Sequence, residues 1–303
     1  MSSLIRCQTT TIRTNVSCLV CNTKNSKPIF TYWDDNKSSE ILQCLNCGHL
    51  FIYPIPLVNL NERTMDTISD AEFFGHPVLK FLHEKFVINR EINAVKKILT
   101  DGIRRSLLDI GCGTGWSTAV WQKNGFNVTS LEPSLSRSKI ARELHHLNVS
   151  NEHLENFKTQ ELFDVVILRH LLEHIENPTA MLEKIKTFLK PNGLLVIIIP
   201  NIDCLGRHLY RENWEWVLPW HLHFYTPKTL TRLLEKLGYS KIKIYQTPSP
   251  LWHPQTLNRA LTNSPLKIQL SHWAALLLSL PIVFWGFLLN KNDNMTLIFK
   301  NSP

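Results

Sequence analysis

The sequence holds 303 residues with a formal net charge of +8 and 44% hydrophobic residues. That hydrophobic share beside 19% charged residues excludes a mainly disordered chain, and the length suffices for one sizeable core plus an appendage. The cationic excess points to an anionic neighbour, whether nucleic acid, lipid surface or acidic substrate, without choosing among them.

Met1 to Cys7 lacks the apolar run of a secretory signal, so a cytoplasmic, reducing compartment is expected. Cysteine occurs at 7, 18, 21, 44, 47, 112 and 204, and four of these form two C-x-x-C pairs separated by 22 residues. In a reducing compartment such pairs point to Zn2+ before disulfides, because each two-residue spacing turns both sulfurs toward one ion. Unmetallated or redox-active thiols are the alternative. Cys18, Cys21, Cys44 and Cys47 would fill all four positions and leave none for a catalytic water, so the expected role is structural. "PIFTYW" and "SSEILQC" read as two short strands joined by a polar turn, and Gly48 suits the tight backbone after the last cysteine. The whole reads as a zinc ribbon. It carries few cations beyond Lys24, Lys27 and Lys37, so nucleic-acid binding is not expected of it.

"YPIPLVN" reads as a linker, and the apolar spacing from Ala71 to Gly102 predicts helical cover that stops at the glycine. From residue 106 the chain alternates. Strands are predicted at 107–110, 128–131, 163–168 and 194–199, with helices near 115–123, 134–146 and 179–189 between them. Apolar strands separated by helices imply a parallel sheet covered on both faces, which binds ligands beyond the carboxyl ends of its strands.

"LLDIGCGTG" ends the first of these strands, placing Gly111, Gly113 and Gly115 at the binding edge. Glycines there let backbone N–H groups approach a ligand, and Asp109 can accept a hydrogen bond from a ligand's ammonium group. A dinucleotide fingerprint requires G-x-G-x-x-G, but position 116 is Trp. Glu132 ends the next strand, where a carboxylate can hold both hydroxyls of a ribose.

"LLDIGCGTG", "LEPS", "FDVVILRHLLEHIENP" and "LKPNGLLVIIIP" occur in this order, and the chain therefore resembles the class I S-adenosylmethionine-dependent methyltransferases of the ubiquinone-type and sugar-type small-molecule branches. The resemblance covers residues 70–245 and a last strand near 295–300. It implies an α/β fold with a seven-stranded Rossmann-like sheet whose final strand is antiparallel. It further implies that Asp109, Gly111 and Gly113 hold the methionine part of the cofactor and Glu132 the ribose. Gly115 and Arg169 sit at the same edge. The adenine contact would fall near Asn151 to Leu154, where the family's usual Asp is lacking.

On the acceptor side, Arg169 and His170 follow the strand at 163–168, and Glu173 and His174 come on the next turn. His174 resembles the histidine of the family's L-E-H motif and could take a proton from a hydroxyl, or serve only to fix the loop. His221 and His223 stand beside Trp216, Trp220 and Tyr225, matching a W-H-x-x-H-F type segment of the family, and suggest a substrate lid. His-x-His also offers two metal ligands, but no third is evident nearby. Thr226, Pro227 and Gly238 predict the cap, first position and end of one more helix.

No residue between Lys267 and Lys291 carries a formal charge, and "HWAALLLSLPIVFWGFLLN" lies in that interval. Its length satisfies the roughly 20 residues needed to span a bilayer. If "MTLIFK" pairs with "KIKIY" in one sheet, a single span would separate them. A hydrophobic helical insertion over 268–290 lying on the membrane is therefore expected, kinked at Pro281, with Trp273 and Trp285 suited to the interface; a buried helix or dimer surface is the alternative.

The expectation is a zinc ribbon with linker over 1–58 and a class I methyltransferase domain over 59–303. It would use S-adenosylmethionine to methylate a small or lipid-linked acceptor at a hydroxyl, at the inner face of a membrane. His174, His221 and His223 are the candidate catalytic residues. The alternatives are a non-catalytic zinc-ribbon protein that binds nucleic acid, and a sugar C-methyltransferase, whose additional C-terminal domain is not found here.

Overall fold

The computed structural model describes residues 4–6, 11–34, 37–56, 77–100, 105–248, 253–265 and 267–302. Four strands open the chain: β1 (Leu4–Arg6), β2 (Ser26–Asp34), β3 (Lys37–Cys44) and β4 (Leu50–Tyr53), each antiparallel to the next. The predicted ribbon strands are β2 and β3; the tip of their turn, 35–36, lies outside the described residues. So do Cys7, the expected domain boundary at 58/59 and the start of the predicted helical cover.

That cover comprises α1 (Pro77–His83), a π-turn over Glu84–Ile88 and α2 (Asn89–Leu99), which follow one another without a gap. It ends at Thr100, whose φ is 51°, rather than at Gly102, which lies outside the described residues.

The alternating region runs β5 (Ser106–Ile110), α3 (Trp116–Lys123), β6 (Asn127–Leu131), α4 (Leu135–His145), β7 (Asn148–Ser150), β8 (Phe163–Arg169), α5 (Pro178–Phe188) and β9 (Leu189–Pro200). After it come α6 (Leu205–Tyr210), β10 (His223–Phe224), α7 (Pro227–Lys236), β11 (Tyr239–Thr247), α8 (His253–Thr262), α9 (His272–Leu288) and β12 (Asn294–Asn301). Seven strands form one sheet in the order β11-β12-β9-β8-β5-β6-β7. β12 is antiparallel to both neighbours, and the pairs from β9 to β7 are parallel. "KIKIY" and "MTLIFK" are paired as expected, with Ile244 opposite Leu297.

The strands read as continuous apolar runs because both faces are covered. Successive side chains point to opposite faces. Leu107, Val165, Ile167, Val196 and Ile198 pack with Ile92, Val95 and Trp121 on one side. Leu108, Val166, Leu168, Ile197 and Ile199 pack with α5 and α7 on the other. Each such Leu, Ile or Val contributes about 1.5–3 kcal/mol by leaving water. α7 starts as predicted: Thr226 and Thr229 form a reciprocal cap, Pro227 holds the first position and Gly238 follows the helix at φ 77°.

The ribbon is not a detached bead. β10, from the main region, pairs with β4 and becomes the fifth strand of the ribbon sheet. Cys18, Val20, Leu42, Cys44 and Phe51 join the same core as Tyr225, Leu230 and Leu233. α9 remains one helix through Pro281, and among the described residues no helix is long and apolar enough to cross a membrane.

Candidate active site and candidate metal centre

Gly111, Gly113 and Gly115 follow β5 with φ of 75°, 59° and 83°, a left-handed region that side chains disfavour. They differ in what surrounds them. A Cβ on Gly113 would meet nothing within 4 Å among the described residues. A Cβ on Gly115 would lie 2.5 Å from Leu147 Cδ1 and 2.8 Å from Ala141 Cβ, so glycine at 115 lets the loop pack against α4 and its own face is closed. α3 starts immediately afterwards, and its N-cap, Gly115, has no side chain with which to cap it.

Glu132, nearly buried beyond the end of β6, ties the loop together. Its Oε2 accepts from Gly113 N at 2.8 Å and its Oε1 from Ser134 N at 3.0 Å. Asn151 Nδ2 donates to the Glu132 carbonyl at 3.1 Å and also reaches Ser138 Oγ. Asp109 is buried in the core edge; Oδ2 accepts from the Thr118 hydroxyl, whereas Oδ1 has no hydrogen-bond partner among the described residues. Burial raises its pKa to about 6, opposed by Thr118 and by the charge of Arg169.

These residues fit S-adenosylmethionine. An orphaned, buried carboxylate oxygen suits an ammonium, the N-terminal end of α3 suits a carboxylate through its dipole, and Glu132 retains lone pairs for ribose hydroxyls. Arg169, expected at the same edge, is otherwise engaged: its guanidinium pairs with the buried Glu91 of α2. Glu91 escaped the sequence reading. Its signal was an acid on the apolar stripe of Ile88, Ile92 and Val95.

Where the sequence places the expected acceptor side, the structure gathers His170, Glu173, His174, Trp216 and His221. His170, at φ 48°, stacks on Trp216 with centroids 5.1 Å apart, and its Nδ1 lies 3.5 Å from Glu173 Oε1. Burial opposes ionisation of Glu173, but His170, His174 and His221 around it hold its pKa below the ordinary value. His174 Nδ1 lies 2.9 Å from the Trp220 carbonyl, which can only accept, so that nitrogen carries a hydrogen and Nε2 is the basic position when the ring is neutral. His221 meets His174 edge-on at 4.8 Å, and burial pushes its pKa down to about 3. Ligand atoms of Glu173, His174 and His221 all lie within 4.8 Å of one another, so His221 meets two groups from the other loop rather than its neighbour His223.

His223 does not join this cluster. Its Nδ1 is 3.3 Å from His49 Nε2, the two rings stack, and its pKa falls to about 4 through burial. It belongs to the contact between the ribbon and the main region.

A family model described as a methyltransferase domain matches residues 81–244, more than half of the chain. The chain belongs to this methyltransferase family. With the cofactor-type loop and the seven-stranded sheet, it is a class I, S-adenosylmethionine-dependent enzyme. The methyltransferase is 27% identical over 171 residues to a ubiquinone biosynthesis O-methyltransferase of Rhodopseudomonas palustris (strain TIE-1), covering 52% of this chain and 67% of that protein. It is 32% identical over 142 residues to one from Rickettsia typhi (strain ATCC VR-144 / Wilmington), covering 43% and 53%. It thus spans between half and two thirds of these relatives. A solved structure of a putative sarcosine dimethylglycine methyltransferase from Galdieria sulphuraria shares the fold, with TM-score 0.51 and 16% identity over 74% of this chain and 87% of that one.

The methyltransferase has a second cluster in its ribbon. Cys18 Sγ lies 3.6 Å from Cys47 Sγ and Cys21 Sγ 3.5 Å from Cys44 Sγ. Zn–S bonds of about 2.3 Å set tetrahedral sulfurs about 3.8 Å apart, so the four positions fit that ion. Two turns shape it: Asn22 N donates to Cys18 O and Gly48 N to Cys44 O, with φ of 61° at Asn22 and 78° at Gly48. The hydrogen bond from Cys18 holds the Cys47 pKa well below that of the ordinary thiol.

Proposed function

We propose that this methyltransferase methylates a hydroxyl oxygen of a small, lipid-linked acceptor at the cytoplasmic face of a membrane. Asp109, Gly111 and Gly113 hold the methionine part of the cofactor, Glu132 holds the ribose, and Zn2+ closes the four cysteines of the 1–58 module. The observation that carries the reading is the fixed tautomer of His174, whose Nδ1–H is committed to Trp220 O. The names of the similar O-methyltransferases support oxygen as the acceptor atom.

Bound S-adenosylmethionine supplies an electrophilic methyl on a sulfonium. His174 Nε2 accepts the hydroxyl proton as the oxygen becomes a nucleophile, and buried Glu173 stabilises the resulting imidazolium. His221, neutral down to about pH 3, positions the His174 ring. Most of the acceleration comes from holding the two reactants in register.

Purified protein, labelled methyl donor and a panel of polyprenyl-linked phenols, free phenols and amines test this. Label is expected on the oxygen of the lipid-linked phenol, and His174→Ala is expected to lower kcat about 10²- to 10⁴-fold with the cofactor's KM retained. Methylation at carbon or nitrogen, or an unaffected kcat, contradicts it. A second reading rests on the proximity of Glu173, His174 and His221: a divalent cation there would take the acceptor oxygen in place of a base. Chelation followed by recovery with Mg2+ or Mn2+ at unchanged zinc content would favour it.

A further inference from the structure

α9 rests on the main region through a narrow face. Ala275, Ser279 and Gly286 are buried, and the helix packs against α6 and α8. Ala274, Leu276, Ile282 and Val283 flank that face half-buried, and the opposite side is apolar and open: Trp273, Leu277, Leu278, Phe284, Trp285 and Phe287 are each more than half exposed. At about 100° per residue, the exposed apolar positions from Trp273 to Leu289 sweep about 200° of the helix. A seam for one partner helix is narrower than this. At 17 residues the helix is too short to cross a bilayer, and the pairing of β11 with β12 keeps both of its ends on one side.

The position of α9 gives this surface a use. Asn294, the first residue of β12, pairs with Pro200 at the end of β9 and with Thr247 at the end of β11. α6, α8 and α9 therefore leave from the carboxyl edge of the sheet. The glycine loop after β5 and Arg169–His170 at the end of β8 lie along that same edge. Two cations of the surroundings, Lys267 and Arg211, are exposed; of the acids, Asp203 is paired with Lys291 and His208, Asp293 is buried beside His253, and half-buried Glu212 follows Arg211. Leu209 of α6 and Ile268 extend the apolar area.

We propose that α9 is a monotopic docking element that lies in the headgroup region of an anionic phospholipid bilayer, and so turns the carboxyl edge with its acceptor side toward the lipid. Such a helix sinks about 5–10 Å, with tryptophans at the interface and cations meeting anionic headgroups. The inference rests on the lipid-linked acceptor for its purpose, but its test reads binding and uses no acceptor.

The full chain is floated with phosphatidylcholine vesicles with and without phosphatidylglycerol. Binding is expected on the anionic vesicles and is expected to fall about tenfold or more in Leu277→Glu/Phe284→Glu, with S-adenosylhomocysteine binding intact. Trp273→Ala/Trp285→Ala, a milder change, should show an intermediate loss. Equal flotation of wild type and both variants overturns the proposal, as does equal binding to neutral vesicles. A dimer in lipid-free solution that the glutamate variant dissociates would give the face to a second copy and also overturn it. Lipid binding without methylation of any lipid-linked hydroxyl would leave α9 as proposed and remove the acceptor reading alone.

Discussion

Removing zinc is expected to unfold the ribbon and disable the acceptor side while leaving cofactor binding nearly unchanged. A structural zinc site contributes about 10–16 kcal/mol of binding free energy in small zinc modules at pH 7, and a segment of this size has little core of its own to replace it. The ribbon is wired to the acceptor loop. β4 pairs with β10, Ile52 N donates to Leu222 O at 2.9 Å, and Leu222 N donates to Glu173 O at 2.7 Å. His221 lies one residue before that junction. The glycine loop and Glu132 lie across the sheet, on β5 and β6, with no strand shared with the ribbon. Cys44→Ala should therefore lose its metal, lower methyl transfer at least about 100-fold and change the affinity for S-adenosylhomocysteine less than about threefold. Metal analysis should give one zinc per wild-type chain. A zinc-free wild type with a normal melting transition would remove the ion from the account.

Asp109→Asn is expected to move stability and binding in opposite directions. The Asp109 carboxyl titrates at about 6 against 3.8 for the ordinary group, a difference worth about 3 kcal/mol. Because the folded-state pKa is the higher one, the charged form is the destabilising one. The penalty is absent below about pH 4, grows between pH 4 and 6, and is complete above pH 6. Asn keeps the shape without the charge, so the unliganded variant should melt higher than wild type at pH 7.5 and about equally at pH 4. In the proposed function the unpartnered Oδ1 of the same carboxylate takes the cofactor's ammonium. S-adenosylhomocysteine should bind the variant at least about tenfold more weakly. In wild type its affinity should fall about tenfold per pH unit below 6. A variant that melts lower and binds equally well would show that Asp109 serves only to hold Thr118.

Much of this was legible because it depends on local pattern. Strand runs such as "LLVIII" declare burial on both faces, Thr226-Pro227 with Gly238 declares a helix, and two C-x-x-C pairs declare one site wherever the chain folds. What stayed hidden depends on which elements meet. Arg169 reads as a ligand group until α2 delivers Glu91. His221 and His223 look equivalent two residues apart, yet one faces His174 and the other His49, because His221 sits in the turn that precedes β10, where its N–H bonds to Leu218 O, and only His223 lies on the strand that joins the ribbon. Gly115 looks like its neighbours until α4 closes over it. The insertion was recognised as apolar, but only the fold shows that its small residues face inward and its large ones outward.

The most direct test of the central claim is calorimetric titration of S-adenosylhomocysteine into the zinc-loaded protein and into Glu132→Ala. Saturable binding of one molecule per chain is predicted, weakened by about 1.5–3 kcal/mol, or about 10- to 150-fold, when the ribose contact is removed. No binding by the folded wild type, or equal binding by the variant, would contradict the assignment of this loop and this carboxylate to the cofactor.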